Sequence, residues 1–178
     1  MNTAHYELAR KYAQAFINVF IHELDTEKIK HIKHLAHFLE KHRRVLFYVE
    51  LSKLDDQGTK KAFIEVLREF KLDTLLESLI FLLQASQRFF LLPKVLEYIV
   101  HLYNDYHNIM EFTIISSHSL KETEIEEIVR SLEQKTGKKV IFSTHTDKQL
   151  IAGIKLYSDS YGWEYSIRRQ LRALEPMG

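Results

Sequence analysis

The hydrophobic positions of this chain form six stripes of helical period, followed by a stretch of shorter period. From Ala4 to Leu24, Ala9, Tyr12, Ala13, Phe16 and Phe20 recur every three or four residues and predict an amphipathic helix. Asp25 and Thr26 interrupt that stripe and offer caps for a second helix with Ile29, Ile32, Leu35, Ala36 and Leu39 on its apolar face. A short third helix is expected over Arg43–Val49, ahead of the polar break Asp55-Asp56-Gln57-Gly58. Thr59 opens a fourth, with Phe63, Val66, Leu67 and Phe70 inward. Asp73 can cap a fifth, TLLESLIFLLQASQRFF, which is apolar on nearly every face through Leu83 and therefore belongs at the centre of a bundle. Pro93 suits the first turn of a sixth helix carrying Leu96, Ile99, Val100 and Tyr103.

The period changes after Asn108. FTIIS is rich in β-branched residues and alternates like a strand. Ser119-Leu-Lys-Glu122 has the form of a capping box, in which hydroxyl and carboxylate satisfy the first free amides of a helix. Ile125, Ile128, Val129 and Leu132 make that helix amphipathic, and Gly137 can close it with a positive φ. Val140–Ser143 reads as a strand, then two β-like runs, Ile151–Tyr157 and Trp163–Tyr165, lead into a basic amphipathic helix. The order strand–helix–strand–strand–strand–helix favours a compact sheet with helices on one side. The fold class expected is α+β and mainly helical. An N-terminal six-helix bundle occupies residues 1–106, and a small C-terminal α/β domain occupies residues 109–178.

Composition narrows the chemistry. Lys and Arg number 25 against 24 Asp and Glu, so no global field draws the chain to nucleic acid or acidic lipid. There are no cysteines, which removes disulfides and thiolate metal sites. Only five glycines are present and neither GxxxxGK[ST] nor GxGxxG occurs, so the usual phosphate-cradling loops cannot form. No run reaches the roughly 18 apolar residues of a membrane span, and the N-terminus lacks a signal-peptide core. These features suit a cytosolic protein whose link to a membrane, if it has one, passes through a partner.

Candidate catalytic and metal groups do not assemble. His31, His34 and His37 stand three apart in the second helix, yet each step of three turns the face by about 60°, so the imidazoles diverge. No carboxylate is placed as in HExxH, and no G-x-S-x-G elbow is present. Glu122, Glu124, Glu126 and Glu127 put negative charge where a helix N-terminus favours it, which is stabilising electrostatics and not an acid–base pair. No catalytic residue, metal or cofactor is expected.

Three motifs carry a family resemblance. They are Ala9-Arg10-Lys11-Tyr12-Ala13-Gln14-Ala15-Phe16; Arg88 with Leu92-Pro93; and Asp147, Leu150-Ile151-Ala152-Gly153-Ile154, then Ser166 with Leu171 and Leu174. In order and separation they resemble the δ subunits of bacterial F-type ATP synthases, relatives of the mitochondrial oligomycin-sensitivity-conferring protein. Ala152 stands where that family usually has Gly, Ser117 where it often has Ala, and Glu164-Tyr165 fall within its closing D-x-S motif. The resemblance implies a non-catalytic subunit of the peripheral stalk, or stator, at the cytoplasmic face of a bacterial inner membrane. Its N-terminal bundle would bind the N-terminal helices of the α subunits. Its C-terminal part would grip the b-subunit coiled coil, so that ion flow is coupled to ATP synthesis within a hetero-oligomeric complex.

Two surfaces are candidates for such docking. Small Ala residues beside Tyr12, Ala13 and Phe16 can leave a shallow groove for a partner helix, with Leu79 and Leu83 completing its floor; the same positions equally suit the bundle core. Arg168, Arg169 and Arg172 make the C-terminal helix basic, and the resemblance makes that end a partner surface. The competing class is a free-standing helical adaptor that binds RNA through those arginines with Lys138 and Lys139. Balanced charge and the lack of an aromatic RNA-binding sheet count against it.

Overall fold

The computed structural model describes residues 3–51, 57–150, 153–158 and 162–166. The chain divides into two compact units, Met1–Tyr103 and Asn104–Gly178.

In the first unit α1 spans Thr3–Phe20 and passes into a single 3-10 turn, Ile21–Glu23; it is followed by α2, Thr26–Lys41. Asp25 starts α2 as expected: its carboxylate accepts the Lys28 amide at 2.7 Å, satisfying one of the otherwise free N–H groups of the first turn. All five residues of the predicted α2 stripe are buried. Next come α3, Arg43–Leu51, and α4, Gln57–Glu69, with Phe63 and Leu67 buried and the Phe70 ring 6.0 Å from that of Phe38. Asp55 and Asp56 of the predicted break lie outside the described residues, while Gln57 and Gly58 open α4.

Helix α5 runs from Asp73 to Ala85, shorter than its apolar run suggests. Gln87 adopts φ 54 and the Arg88 amide bonds back to the Leu83 carbonyl at 2.8 Å, which ends the helix before a 3-10 turn at Phe89–Leu91. Asp73 does not cap it. Leu72 occupies the cap position, and Asp73 sits one residue inside, 3.7 Å from Arg68. Nor is α5 enclosed on every side: Leu75, Leu76, Leu79, Ile80 and Leu83 are buried, but Phe81 and Leu82 are exposed. Helix α6, Leu92–Tyr106, takes Pro93 in its first turn and buries Leu92, Val95, Leu96, Ile99, Val100 and Tyr103.

The second unit holds a four-stranded sheet in the order β2-β1-β3-β4, formed by β1 (Ile109–Ser116), β2 (Lys139–Thr146), β3 (Gly153–Tyr157) and β4 (Gly162–Ser166). β1 pairs in parallel with β2, with Phe112 opposite Phe142, and antiparallel with β3, with Ile114 opposite Leu156. The parallel pair needs a crossover, which α7 (Glu122–Thr136) supplies. Phe112, Leu132 and Val140 form the core, with Met110, Ile128, Val129 and Leu156 packed against it. The capping box falls two residues later than the sequence suggests. Glu124, not Glu122, reaches back to accept the Lys121 amide at 2.8 Å; Lys121 has no acceptor with which to reciprocate, so only half the box exists. Gly137 closes α7 at φ 66 as expected, and its carbonyl accepts the Asn108 side-chain amide at 3.1 Å. The helix expected after Ser166 lies outside the described residues.

Candidate docking surface

Helices α1 and α5 run antiparallel. Tyr12, midway along α1, meets Ser86 just past the end of α5, with 3.3 Å between their hydroxyl oxygens. Phe20, at the end of α1, lines a cleft with Thr74, Glu77 and Ser78 from the start of α5. The cleft encloses about 620 Å³, and Phe63 and Leu67 of α4 contribute to its walls.

The residues predicted to border a groove divide unevenly. Ala13 is 0% exposed, and Phe16, Leu79 and Leu83 are likewise buried, so these four build the bundle core and present no side chain to a partner. The physical reason is phase: they face the interior of the bundle, and the side chains open to water lie on other faces of the two helices. There Val19 is 68% exposed, Phe81 61% and Leu82 50%. Ala15, on the same face as Val19, is also exposed. Tyr12 alone of the predicted set reaches the rim, half-buried. Its hydroxyl accepts from Arg88 at 3.0 Å, and Ser86 also donates to the Leu82 carbonyl at 2.7 Å. The Ser86 hydroxyl, opposed by burial and helped by the Arg88 guanidinium, lowers the Tyr12 phenol below its ordinary value. The network ties the two helices together at one end of the face.

Large apolar side chains in water are informative where they cluster beside a cleft. Phe81 lines the cleft itself, next to Phe20 and Ile80. This arrangement has the shape and chemistry that receive an amphipathic helix.

Elsewhere the candidates remain apart from chemistry. His34 and His37 are exposed on α2, and among the described residues no group of three His, Cys, Asp or Glu is placed to hold a metal ion. Among the same residues no helix is long and apolar enough to cross a membrane. Lys138, a candidate RNA contact, stands 3.7 Å from Asp105. Arg168, Arg169 and Arg172 lie outside the described residues, as do Ile151, Ala152, Leu171 and Leu174 of the tail motif. The part of that motif within the structure has a local explanation. The Asp147 carboxylate accepts the Gln149 amide at 2.9 Å, its own amide bonds to the Ser116 carbonyl at 2.8 Å, and Leu150 is buried behind the turn.

The described residues thus form a helical bundle with apolar side chains open to water and a small mixed sheet, the architecture of a mainly helical α+β protein. Residues 8–176 match the family described as ATP synthase delta (OSCP) subunit, and the chain belongs to that family. It is 28% identical over 167 residues to ATP synthase subunit delta of Haemophilus influenzae strain PittEE, covering 94% of this chain and 93% of the relative. It is 25% identical over 167 residues to the subunit of the same name from Actinobacillus pleuropneumoniae serotype 3, with the same coverage of 94% and 93%. Syntrophobacter fumaroxidans has another such relative, 27% identical over 173 residues and covering 92% of this chain and 90% of the relative. In fold the chain is similar to a chain of the Toxoplasma gondii mitochondrial ATP synthase hexamer, with TM-score 0.62, 15% identity and coverage of 94% and 95%. The chain is thus a peripheral-stalk subunit of an ATP synthase, one part of a hetero-oligomeric complex. The RNA-adaptor alternative has no support.

Proposed function

We propose that the chain is a non-catalytic stator connector whose α1–α5 face binds the N-terminal helix of a catalytic-head α subunit. The observation that carries this is the exposure of Phe81, which lines the cleft, together with that of Leu82 on the same helix and Val19 on α1. An amphipathic helix laid on that face would remove those side chains from water at about 25 cal/mol per Å² of apolar surface. No proton transfer or bond cleavage is asked of the chain. Its task is to remain attached while the rotor applies torque, which requires affinity and rigidity only.

The second unit would hold the b-subunit coiled coil, through residues that include Arg168, Arg169 and Arg172 on the basic C-terminal segment. Two domains, residues 1–106 and 109–178, then serve the two ends of the connection. The complex would sit at the cytoplasmic face of a bacterial inner membrane, with the b subunit supplying the membrane link. The test is binding of a synthetic α-subunit N-terminal peptide to the native chain and to Phe81→Ser. Loss of an aromatic anchor from the centre of an interface typically costs about 2 kcal/mol or more, hence at least tenfold in affinity. The same affinity for both chains would move the docking site off this face.

A further inference from the structure

The α1–α5 face is polarised in charge as well as apolar. Along α5, Asp73, Glu77 and Phe81 follow one another at four-residue spacing on one strip, and Arg88 stands just past the helix end, joined to Tyr12 at 3.0 Å. Along α1, Lys11, Ala15 and Val19 form an exposed strip at the same spacing. Because the helices are antiparallel, both strips point the same way. The end near Tyr12 carries Lys11 and Arg88, with Glu7 one turn further out, beyond the apolar stretch. The opposite end carries Asp73 and Glu77; Arg68, which also lines the cleft there, is opposed by Glu65 at 2.7 Å as well as by Asp73. The apolar residues lie between the two ends.

We infer that this face reads the order of charges on its partner: it takes an amphipathic helix with a basic end over Asp73 and Glu77 and an acidic end over Lys11 and Arg88, and so fixes the direction in which that helix lies. The inference rests on the docking role proposed for the face and specifies the partner's chemistry. From Glu77 to the end of α5 is about 12 Å at 1.5 Å per residue, so the partner's two charged ends should stand roughly eight residues apart. Apolar burial is non-directional and would accept the helix either way round. Charge order breaks that symmetry, because the reversed helix sets like charges against each other at both ends.

The absence of cysteine from the chain makes the test direct. A designed peptide with three turns of apolar stripe, two Lys at its N-terminal end, two Glu at its C-terminal end and a nitroxide on its N-terminus serves as probe. Partner labels go on Thr74→Cys or Ala4→Cys, both exposed and at opposite ends of the face. The nitroxide should lie nearer position 74, in an excess on the order of tenfold at low salt that collapses at high ionic strength. The double variant Glu77→Lys with Lys11→Glu, which changes only exposed side chains and leaves one charge of each sign at either end, should abolish the preference without moving the melting temperature. Equal populations of the two directions on the native chain, or a preference that survives the double variant, would overturn the inference while leaving the docking face in place. A peptide that does not bind the native chain at all would remove the docking face, and this inference with it.

Discussion

Ala13→Trp separates core from groove with one substitution. If Ala13 bordered an open groove, an indole there would fill the groove, block the partner and leave the bundle intact. The side chain is instead wholly buried, on the same inward face of α1 as Ala9, Phe16 and Ile17. Native interiors are close-packed, so the additional ring atoms have no void to enter and must displace neighbours or distort rotamers. Such overpacking costs about 1–3 kcal/mol and occasionally more. A unit of this size loses about 4–8 °C of melting temperature per kcal/mol, so the fall should be roughly 4 °C at the least and over 20 °C at the worst. Val19→Trp is the control: with 68% of Val19 exposed, its effect on stability should stay within about 0.5 kcal/mol. Circular dichroism at 222 nm measures the melting of both, and titration with the α-subunit peptide measures binding. Ala13→Trp should melt early, whereas Val19→Trp should melt with the native chain and change affinity. An Ala13→Trp chain that melts like the native one and has lost the peptide would refute the placement of Ala13 in the core.

Three further outcomes follow from particular contacts. Gly137→Ala should cost about 1–2 kcal/mol from the positive φ alone, since nothing lies within 4 Å of an added Cβ; an unchanged denaturation midpoint would deny the left-handed cap at the end of α7. Tyr12 has a folded-state pKa below the ordinary value of about 10, so the stability from its ionisation is fully present above the unfolded value and is lost as pH falls through the folded one. The gap in melting temperature between native and Tyr12→Phe chains should therefore widen from pH 8 to pH 10.5, and a constant gap would argue against the bond to Ser86. A fragment of residues 1–106 should fold as a helical bundle by circular dichroism, because the buried stripes of α1 to α6 lie within it; a disordered spectrum would make the two domains interdependent.

Much of the fold was legible because period and burial agree where a helix has one wet side. All five apolar residues assigned to α2, and all four assigned to α6, are buried. Local chemistry was legible where one residue type is required, as with the Asp25 cap and the left-handed Gly137. It failed where several residues compete for a role. Ser119 looked like the better N-cap, yet the chain does not turn into α7 until Lys121, and Glu124 is then the carboxylate within reach of a free amide. The end of α5 was hidden for a related reason. Nothing in QASQRFF demands a stop, and Gln87 takes a left-handed conformation that its side chain does not advertise.

Which side of α5 is open was not legible in the sequence: Phe81 stands two residues from both Leu79 and Leu83, on nearly the opposite face of the helix. Period identifies which positions share a face, but on α5 nearly every face is apolar, so period cannot say which one is turned to water. The predicted floor, Leu79 and Leu83, is the core side of the helix; the open side is Phe81 and Leu82. A signal was nonetheless present in the number of apolar residues. A helix packed on one side in a small bundle needs about half its surface to be hydrophobic, and the run Leu75, Leu76, Leu79, Ile80, Phe81, Leu82, Leu83 exceeds that need. The surplus admits two explanations: a helix enclosed by its own chain, or one completed by another. The described residues leave Phe81 and Leu82 exposed, which argues against the first, and these two side chains are the surface that the proposed docking would use. An apolar excess that the fold leaves in water would suit such an attachment, since burying it on a partner holds two chains together without any covalent step.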